Sequence, residues 1–247
     1  MGSIWMEELS PEERIINRDK ALSQFMELYS FLSRHAIVYL LPSYPGLQEQ
    51  TYVANLGIVL LHTKEKIVVI SNYRSEPRRD ESEIGRQFFN LMNFKVKDAP
   101  PYFEGEEDLK HIKDNIYVGA YGIRTSKNAL DWFSESFDIK IIPFQMSNEY
   151  FYHLEKCVNI YDVIFNDPYI GLTNSIRCGN YLLCASDIDE LYPSDKHYEL
   201  EKSKIKSLNQ LCSSLGMEPV YFNLSEFHKS GALLSCLIMH LNHNNFT

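Results

Sequence analysis

The chain has 247 residues, of which 45% are hydrophobic, and a formal net charge of −9. Such a length and apolar share bury one sizeable core, and the dispersed negative charge repels phosphate backbones, which excludes nucleic acid as a partner. No apolar stretch approaches the ~20 residues needed to span a bilayer, so no membrane partner is expected either.

Residues 1–18 are read as a start that is partly disordered or tag-derived, and the whole of 1–247 as one domain. Asp19–Arg34 reads as a helix, with Ala21, Phe25, Leu28 and Leu32 on one stripe and Asp19 as N-cap. A buried strand is expected at Ala36–Leu41, closed by the turn residues Pro42, Ser43, Pro45 and Gly46. Two apolar runs, Tyr52–Leu61 and Lys66–Ser71, flank the polar stretch His62–Glu65 and predict a hairpin. A unit of strand, loop, helix and strand then recurs. Its first copy is strand Lys66–Ser71, helix Glu81–Met92 and strand Phe94–Lys97; its second is Asn115–Tyr121, Ser126–Ser136 and Ile139–Pro143. The third is Asn180–Ala185, Tyr198–Leu215 and Pro219–Phe222, and the starts lie 49 and then 65 residues apart. The fold class is α/β.

The five cysteines (Cys157, Cys178, Cys184, Cys212 and Cys236) are odd in number and lack CxxC or zinc-ribbon spacing. They indicate thiols in a reducing compartment. The first eight residues have no basic region followed by an apolar one, and Gly2 lacks the Ser or Thr of a myristoylation site. A cytoplasmic protein is expected.

Three islands carry chemistry: Tyr102–Leu109 with Glu104, Tyr150–Glu155 with His153, and Ser225–Leu237 with Cys236. A thiolate near an imidazole is a strong nucleophile whose proton the imidazole can shuttle, and a carboxylate can fix the ring. Cys236 follows Ser230-Gly231-Ala232 and is expected to open an apolar strand, Leu237–Met239. Taken singly, each residue also has a plain reading: Cys236 a buried structural thiol, His153 a core histidine, Glu104 a solvated acid.

Their order resembles the guanidine-modifying branch of the pentein superfamily, which includes dimethylarginine dimethylaminohydrolases and amidinotransferases. Its motifs "FEGxGD", "RTS", "HLx", an Asn-containing loop and "EFxKSGGxxxC" are matched by Phe103–Asp108, Arg124-Thr125-Ser126, His153-Leu154-Glu155, Asn174, and Glu226–Gly231 leading to Cys236. Gly46–Gly57 resembles "GLPDxVFxxNxG", and Pro77–Glu81 resembles "PxRxxE". The resemblance implies an α/β propeller of five ββαβ units, its first unit incomplete, and a substrate with a guanidino group. It implies Cys236 as nucleophile, His153 as acid and base, and Glu104 as the carboxylate paired with His153. Glu155, Asp108, Asn55, Arg124 and Asn174 are the candidate substrate-binding residues. No metal and no organic cofactor is implied, and a homodimer is an open expectation. A hydrolase of a substituted arginine or similar compound is the leading reading. An amidinotransferase with the same thiouronium intermediate, and an inactive pentein serving as a binding module, are the alternatives.

Some positions depart from the pattern. Glu107 stands where the branch prefers Gly, Asn55 where several members place a guanidinium-binding acid, and Ala232 at the second Gly of KSGG. Only Trp5-Met6 echoes the turn that usually opens the fold. Arg124 reads equally as a contact for a substrate carboxylate and as a structural loop arginine. The pair His240 and His243 is expected to be a frayed polar tail, not a metal site.

Overall fold

The computed structural model describes residues 6, 9–47, 49–149, 152–154, 158–159, 163–164 and 174–242. In chain order the main elements are α1 (Arg18–His35), β1 (Gly57–Val59), β2 (Ile67–Ile70), α2 (Glu81–Leu91), β3 (Lys95–Asp98), β4 (Leu109–Lys113), β5 (Ile116–Tyr121), α3 (Lys127–Phe137) and β6 (Lys140–Gln145). Two short strands, β7 (Val158–Asn159) and β8 (Val163–Ile164), precede β9 (Ser175–Cys178), β10 (Tyr181–Ala185), α4 (Tyr198–Leu215), β11 (Glu218–Phe222) and α5 (Ser225–His228). The chain divides into two compact units, residues 41–162 with 236–247, and residues 1–40 with 163–235.

The 41–162 unit holds two ββαβ modules. In the first, β1 pairs antiparallel with β2, and the chain returns through α2 to β3, parallel to β2. In the second, β4, β5, α3 and β6 repeat the pattern. The middle strand of each sheet is an apolar run because it is covered on both faces; Val68, Val69 and Ile70 are wholly buried. The leading strands β1 and β4 are edges. In β4 only Leu109 is buried, so its sequence lacks the apolar run that marks a central strand. That is why Leu109–Lys113, and likewise Ser175–Cys178, went unforeseen as strands. The core of this unit joins Ile58, Val69, Phe103, Leu109, Leu130 and Phe133.

The 1–40 and 163–235 unit contains the third module, β9, β10, α4 and β11, with the same pairing. Helix α1 is capped by Asn17, whose side chain accepts from Lys20 N at 3.1 Å, not by Asp19 as expected. Its stripe is real: Leu28 is buried, and Ala21, Phe25 and Leu32 are half-buried. Gln24 is buried on the same helix because its amide donates to Asn223 Oδ1 and Ser225 Oγ at 2.8 and 2.9 Å.

Two expected strands do not form. Ala36–Leu41 has no ladder, and Ile37, Tyr39 and Leu40 are exposed; β-propensity without a pairing edge leaves an extended loop. Leu237–Met239 is not a strand either; Ser235–Leu237 forms a 3-10 turn that holds Cys236, which is 4% exposed. The sheets are separate, with three strands in each module. No described helix is long and apolar enough to cross a membrane.

Candidate active site

The acidic turn is built by three local devices within the 41–162 unit. Phe103 is wholly buried, its ring tilted against Phe133 at 4.6 Å between centroids, and its backbone bridges Asn72, just past β2. Gly105 adopts φ +74°, and a Cβ there would lie 2.3 Å from Ala54 O, so only glycine lets this turn approach the turn at 53–56. Thr125 accepts from Glu104 N at 3.2 Å and donates to Asp108 Oδ2 at 2.6 Å, while Ser126 caps α3 by accepting from Ala129 N. The Thr-Ser pair of the motif therefore shapes the acidic turn and starts the next helix.

His153 is 3% exposed. Leu154, wholly buried beside Val118, Ala120 and Met146, anchors it, and Leu154 N donates to Asp108 Oδ1 at 3.3 Å. The same oxygen takes Nδ1 of His153 at 2.9 Å. On the other side of the ring, Nε2 lies 3.3 Å from Glu107 Oε2 and 3.7 Å from Glu104 Oε2. Burial alone pushes the imidazolium down. The carboxylates of Asp108, then Glu107, the Asp108 hydrogen bond and Glu104 outweigh it and bring His153 up to about 9.

Glu104 is wholly buried; its Oε1 accepts from Arg74 N at 3.3 Å, but its Oε2 has no hydrogen-bond partner. Among the described residues, the nearest cation to that oxygen besides His153 is Arg124, at 3.8 Å, which lies over the Tyr152 ring at 5.1 Å. Asn55 is held through both ends of its amide. Its Oδ1 accepts from Arg78 at 3.1 Å and its Nδ2 donates to Glu107 Oε2 at 3.0 Å. Arg78 itself is buried against Glu81, at 2.9 Å, and over Tyr73 at 4.5 Å.

The expected residues Glu104, Asp108, Asn55, Arg124 and His153 thus come together. Two of them sit differently from the expectation: Asp108, expected to bind substrate, holds Nδ1 of His153, and the acceptor oxygen of Asn55 is taken by Arg78. Asn174 belongs to the other unit, where its Oδ1 accepts from Ser235 N at 2.7 Å, one residue before Cys236. Glu155 and Cys157 lie outside the described residues. Glu107 was visible in the sequence only as a departure, yet it stands on the Nε2 side of the imidazole, beside Asn55 Nδ2, which lies 3.3 Å from Nε2. His240 is no frayed tail: its Nδ1 lies 2.5 Å from Glu106 Oε1. Cys178, Cys184, Cys212 and Cys236 carry thiols and form no disulfide. Burial raises Cys178 and Cys212, and takes Cys184 up to about 12. Among the described residues no group of three or more His, Cys, Asp or Glu is arranged to hold a metal ion.

The chain is 25% identical over 241 residues to the bifunctional arginine dihydrolase/ornithine cyclodeaminase AgrE of Nostoc. That match covers 90% of this chain but 33% of AgrE, so the chain spans about a third of that relative's length. It is 20% identical over 259 residues to the dimethylarginine dimethylaminohydrolase of Mycobacterium tuberculosis, covering 96% of this chain and 80% of the other. Among solved structures, the N-terminal domain of the cyanobacterial arginine dihydrolase ArgZ matches with a TM-score of 0.79 at 19% identity, over 96% of this chain and 90% of that one. The chain fits the guanidine-modifying branch of the penteins. A variant of the ArgZ domain covalently bound to a reaction intermediate has the same fold, with a TM-score of 0.80 at 19% identity over 98% of this chain and 92% of that one. No family model matches the chain.

Proposed function

We propose that the chain is a cysteine-dependent hydrolase of a guanidino group. One observation carries this reading: three buried carboxylates face one imidazole, and one of their oxygens, Glu104 Oε2, lacks a hydrogen-bond partner. Buried carboxylates in excess over cations are costly unless a cation joins them, and a planar guanidinium offers paired N–H donors that fit carboxylate oxygens. Acceptors of this geometry favour a guanidinium over a spherical cation. The five-unit arrangement of the penteins goes with this reading, three of its modules being described.

In the chemistry proposed, the Cys236 thiolate forms a C–S bond to the guanidinium carbon. The C–N bond to one amine then breaks, and that amine leaves with the proton of His153 Nε2, so an S-alkylthiouronium remains. Water attacks the same carbon and gives a proton to Nε2 as the C–O bond forms. The C–S bond breaks and returns the thiolate, and the last proton leaves with the released amine as its ammonium ion. A guanidinium and water become a urea-type product and an ammonium ion. Asp108 fixes the ring through Nδ1, and Asn174 steadies the backbone before Cys236. Asn55, its oxygen engaged by Arg78, is a positioning residue and not an acceptor for substrate.

The test is limited labelling with a haloacetamidine followed by peptide mapping, alongside turnover of a panel of guanidines. Labelling confined to Cys236, protection by a guanidine, and loss of turnover in Cys236→Ser are expected. Labelling spread over several cysteines, or a Cys236→Ser variant that still turns over substrate, would sink the assignment.

A further inference from the structure

Glu107 does what no motif assigned to it. It is 1% exposed, yet its Oε2 is within 3.3 Å of His153 Nε2, the nitrogen the proposed chemistry needs for proton transfer. Asn55 Nδ2 donates to the same oxygen at 3.0 Å, and Asn55 is fixed from behind by Arg78, so the carboxylate is aimed at the ring. The ring therefore meets Asp108 at Nδ1, and Glu107, Glu104 and, at 3.3 Å, Asn55 Nδ2 at Nε2; Arg124 stands behind Glu104, and Tyr152 packs on the ring at 4.9 Å.

Resting on the guanidine reading above, we propose that Glu107 is a positioning and specificity residue of this site. It accepts from His153 Nε2–H and, when a guanidinium is present, from one of that cation's terminal nitrogens instead, so that the site selects guanidines with both terminal nitrogens unsubstituted. The argument is one of counting acceptors. Both Asp108 oxygens are committed, Oδ1 to Nδ1 and Leu154 N, and Oδ2 to Thr125. Glu104 Oε2 and Glu107 Oε2 are the oxygens that converge beside Nε2. Glu104 Oε2 has no hydrogen-bond partner, and Glu107 Oε2, which accepts from Asn55 Nδ2, has a second lone pair, so the two can take one N–H from each terminal nitrogen of a guanidinium. A dimethylated nitrogen has no N–H to give, and its methyl groups would meet a buried carboxylate. Moving the Glu107 bond to substrate would also release Nε2–H toward the departing amine.

Glu107→Gln keeps the volume and removes the charge, and Glu107→Gly opens space. The first measurement is the NMR titration of the His153 ring in wild type and Glu107→Gln, which needs no turnover. The midpoint should fall by roughly one to two pH units, the effect of losing one close carboxylate. An unchanged midpoint would overturn Glu107's hold on His153 and leave it as an acceptor for Asn55 only. The second is kcat/KM for arginine and for Nω,Nω-dimethylarginine. Glu107→Gly should move the ratio toward the dimethylated compound by roughly 10-fold or more, the discrimination typical of a blocked or unmade hydrogen bond. Should Glu107→Gly not fold, Glu107→Gln should lower kcat/KM for arginine more than for the dimethylated compound. A ratio unmoved in the folded variants would overturn the selectivity. A wild type that turns over neither compound while its His153 midpoint responds to Glu107→Gln would remove the hydrolase reading and uphold the Glu107–His153 contact.

Discussion

Two buried charge clusters share one side chain, Asn55, and differ in how they are balanced. On one side of Asn55, Arg78 has Glu81 at 2.9 Å and Glu49 at 3.4 Å, a face-on tyrosine, and the Asn55 oxygen. Its guanidinium is surrounded by acceptors, and the polar group of that cluster without a hydrogen-bond partner is a neutral one, the Tyr73 hydroxyl. On the other side, three carboxylates share one imidazole and one of their oxygens has no hydrogen-bond partner. A satisfied buried ion pair supports the fold; an unsatisfied one of the same residue types points to something that must arrive. The first cluster is moreover a guanidinium among carboxylates, the protein's own version of the contact proposed for its substrate.

The largest expected effect breaks the satisfied cluster. Arg78→Met leaves Glu81 buried without its cation and frees the Asn55 oxygen. Removing one partner of a buried pair costs about 3–5 kcal/mol. Urea unfolding should show that loss, and a change below about 1 kcal/mol would mean the pair is not buried as described. Next in size, Glu104→Gln should separate stability from activity. It removes a carboxylate that is only half satisfied, so unfolding should shift little or toward greater stability. Turnover of a guanidine should fall by about 10²–10³-fold, as for loss of a preorganised charged contact. A loss of stability with activity retained would reverse the roles assigned to the two clusters.

The third effect concerns pH. His153 titrates near 9, above its ordinary 6.5, because the surrounding carboxylates outweigh the burial that lowers it. The folded protein then holds a proton that the unfolded chain releases. The resulting stabilisation is complete below about pH 6.5 and is lost as pH rises through about 9, an effect of roughly 3 kcal/mol. Unfolding of wild type and His153→Gln at pH 6 and at pH 9.5 checks this, and the difference between the two proteins should shrink at the higher pH. A wild type whose stability advantage grows with pH would contradict the charge state assigned to His153.

How far all this was legible in the sequence differs by kind of signal. Central strands and long helices were readable because burial on both faces, or on one stripe, writes an apolar pattern; the helix 198–215 was placed to the residue. The leading strand Gly57–Val59 was readable too, because all three of its residues are buried, whereas Leu109–Lys113 was not, because it buries a single side chain. The apolar run Ala36–Leu41 misled for the opposite reason, since strand formation depends on a partner that local sequence does not name. In the site, Glu104, Asp108 and His153 were found by motif. Which carboxylate takes which ring nitrogen was not, because Asp108 wins Nδ1 through Thr125 and Leu154, contacts fixed only in three dimensions. Glu107 and His240 looked like a departure and a loose end, since nothing in their neighbours' letters shows what they face.

The smallest expected effect concerns that loose end. Glu106 sits in the same turn as Glu107, and its two oxygens grip one residue: Oε1 at 2.5 Å from His240 Nδ1, and Oε2 accepting His240 N at 2.9 Å. His240 follows Cys236 by four residues, and both lie in the unit that contains the acidic turn. The clamp thus ties the segment bearing the proposed nucleophile to the turn bearing the carboxylates. Burial pushes Glu106 up, but the charge and hydrogen bonds of His240, helped by Lys110, bring it down to about 2. A carboxylate held this low contributes stability that is present above about pH 4.5 and is lost as pH falls toward 2. Glu106→Gln should cost about 1–2 kcal/mol at neutral pH, the scale of a charge-assisted bond, and flatten the acid limb of the stability curve. A merely structural clamp would stop there. A clamp that positions Cys236 should also slow its alkylation by a haloacetamidine in the folded variant, while the labelling of Cys178, Cys184 and Cys212 stays as it was. Loss of stability with unchanged Cys236 alkylation would confine Glu106 to the fold, and alkylation slowed at all four thiols alike would show a general change in the protein and not a repositioned nucleophile.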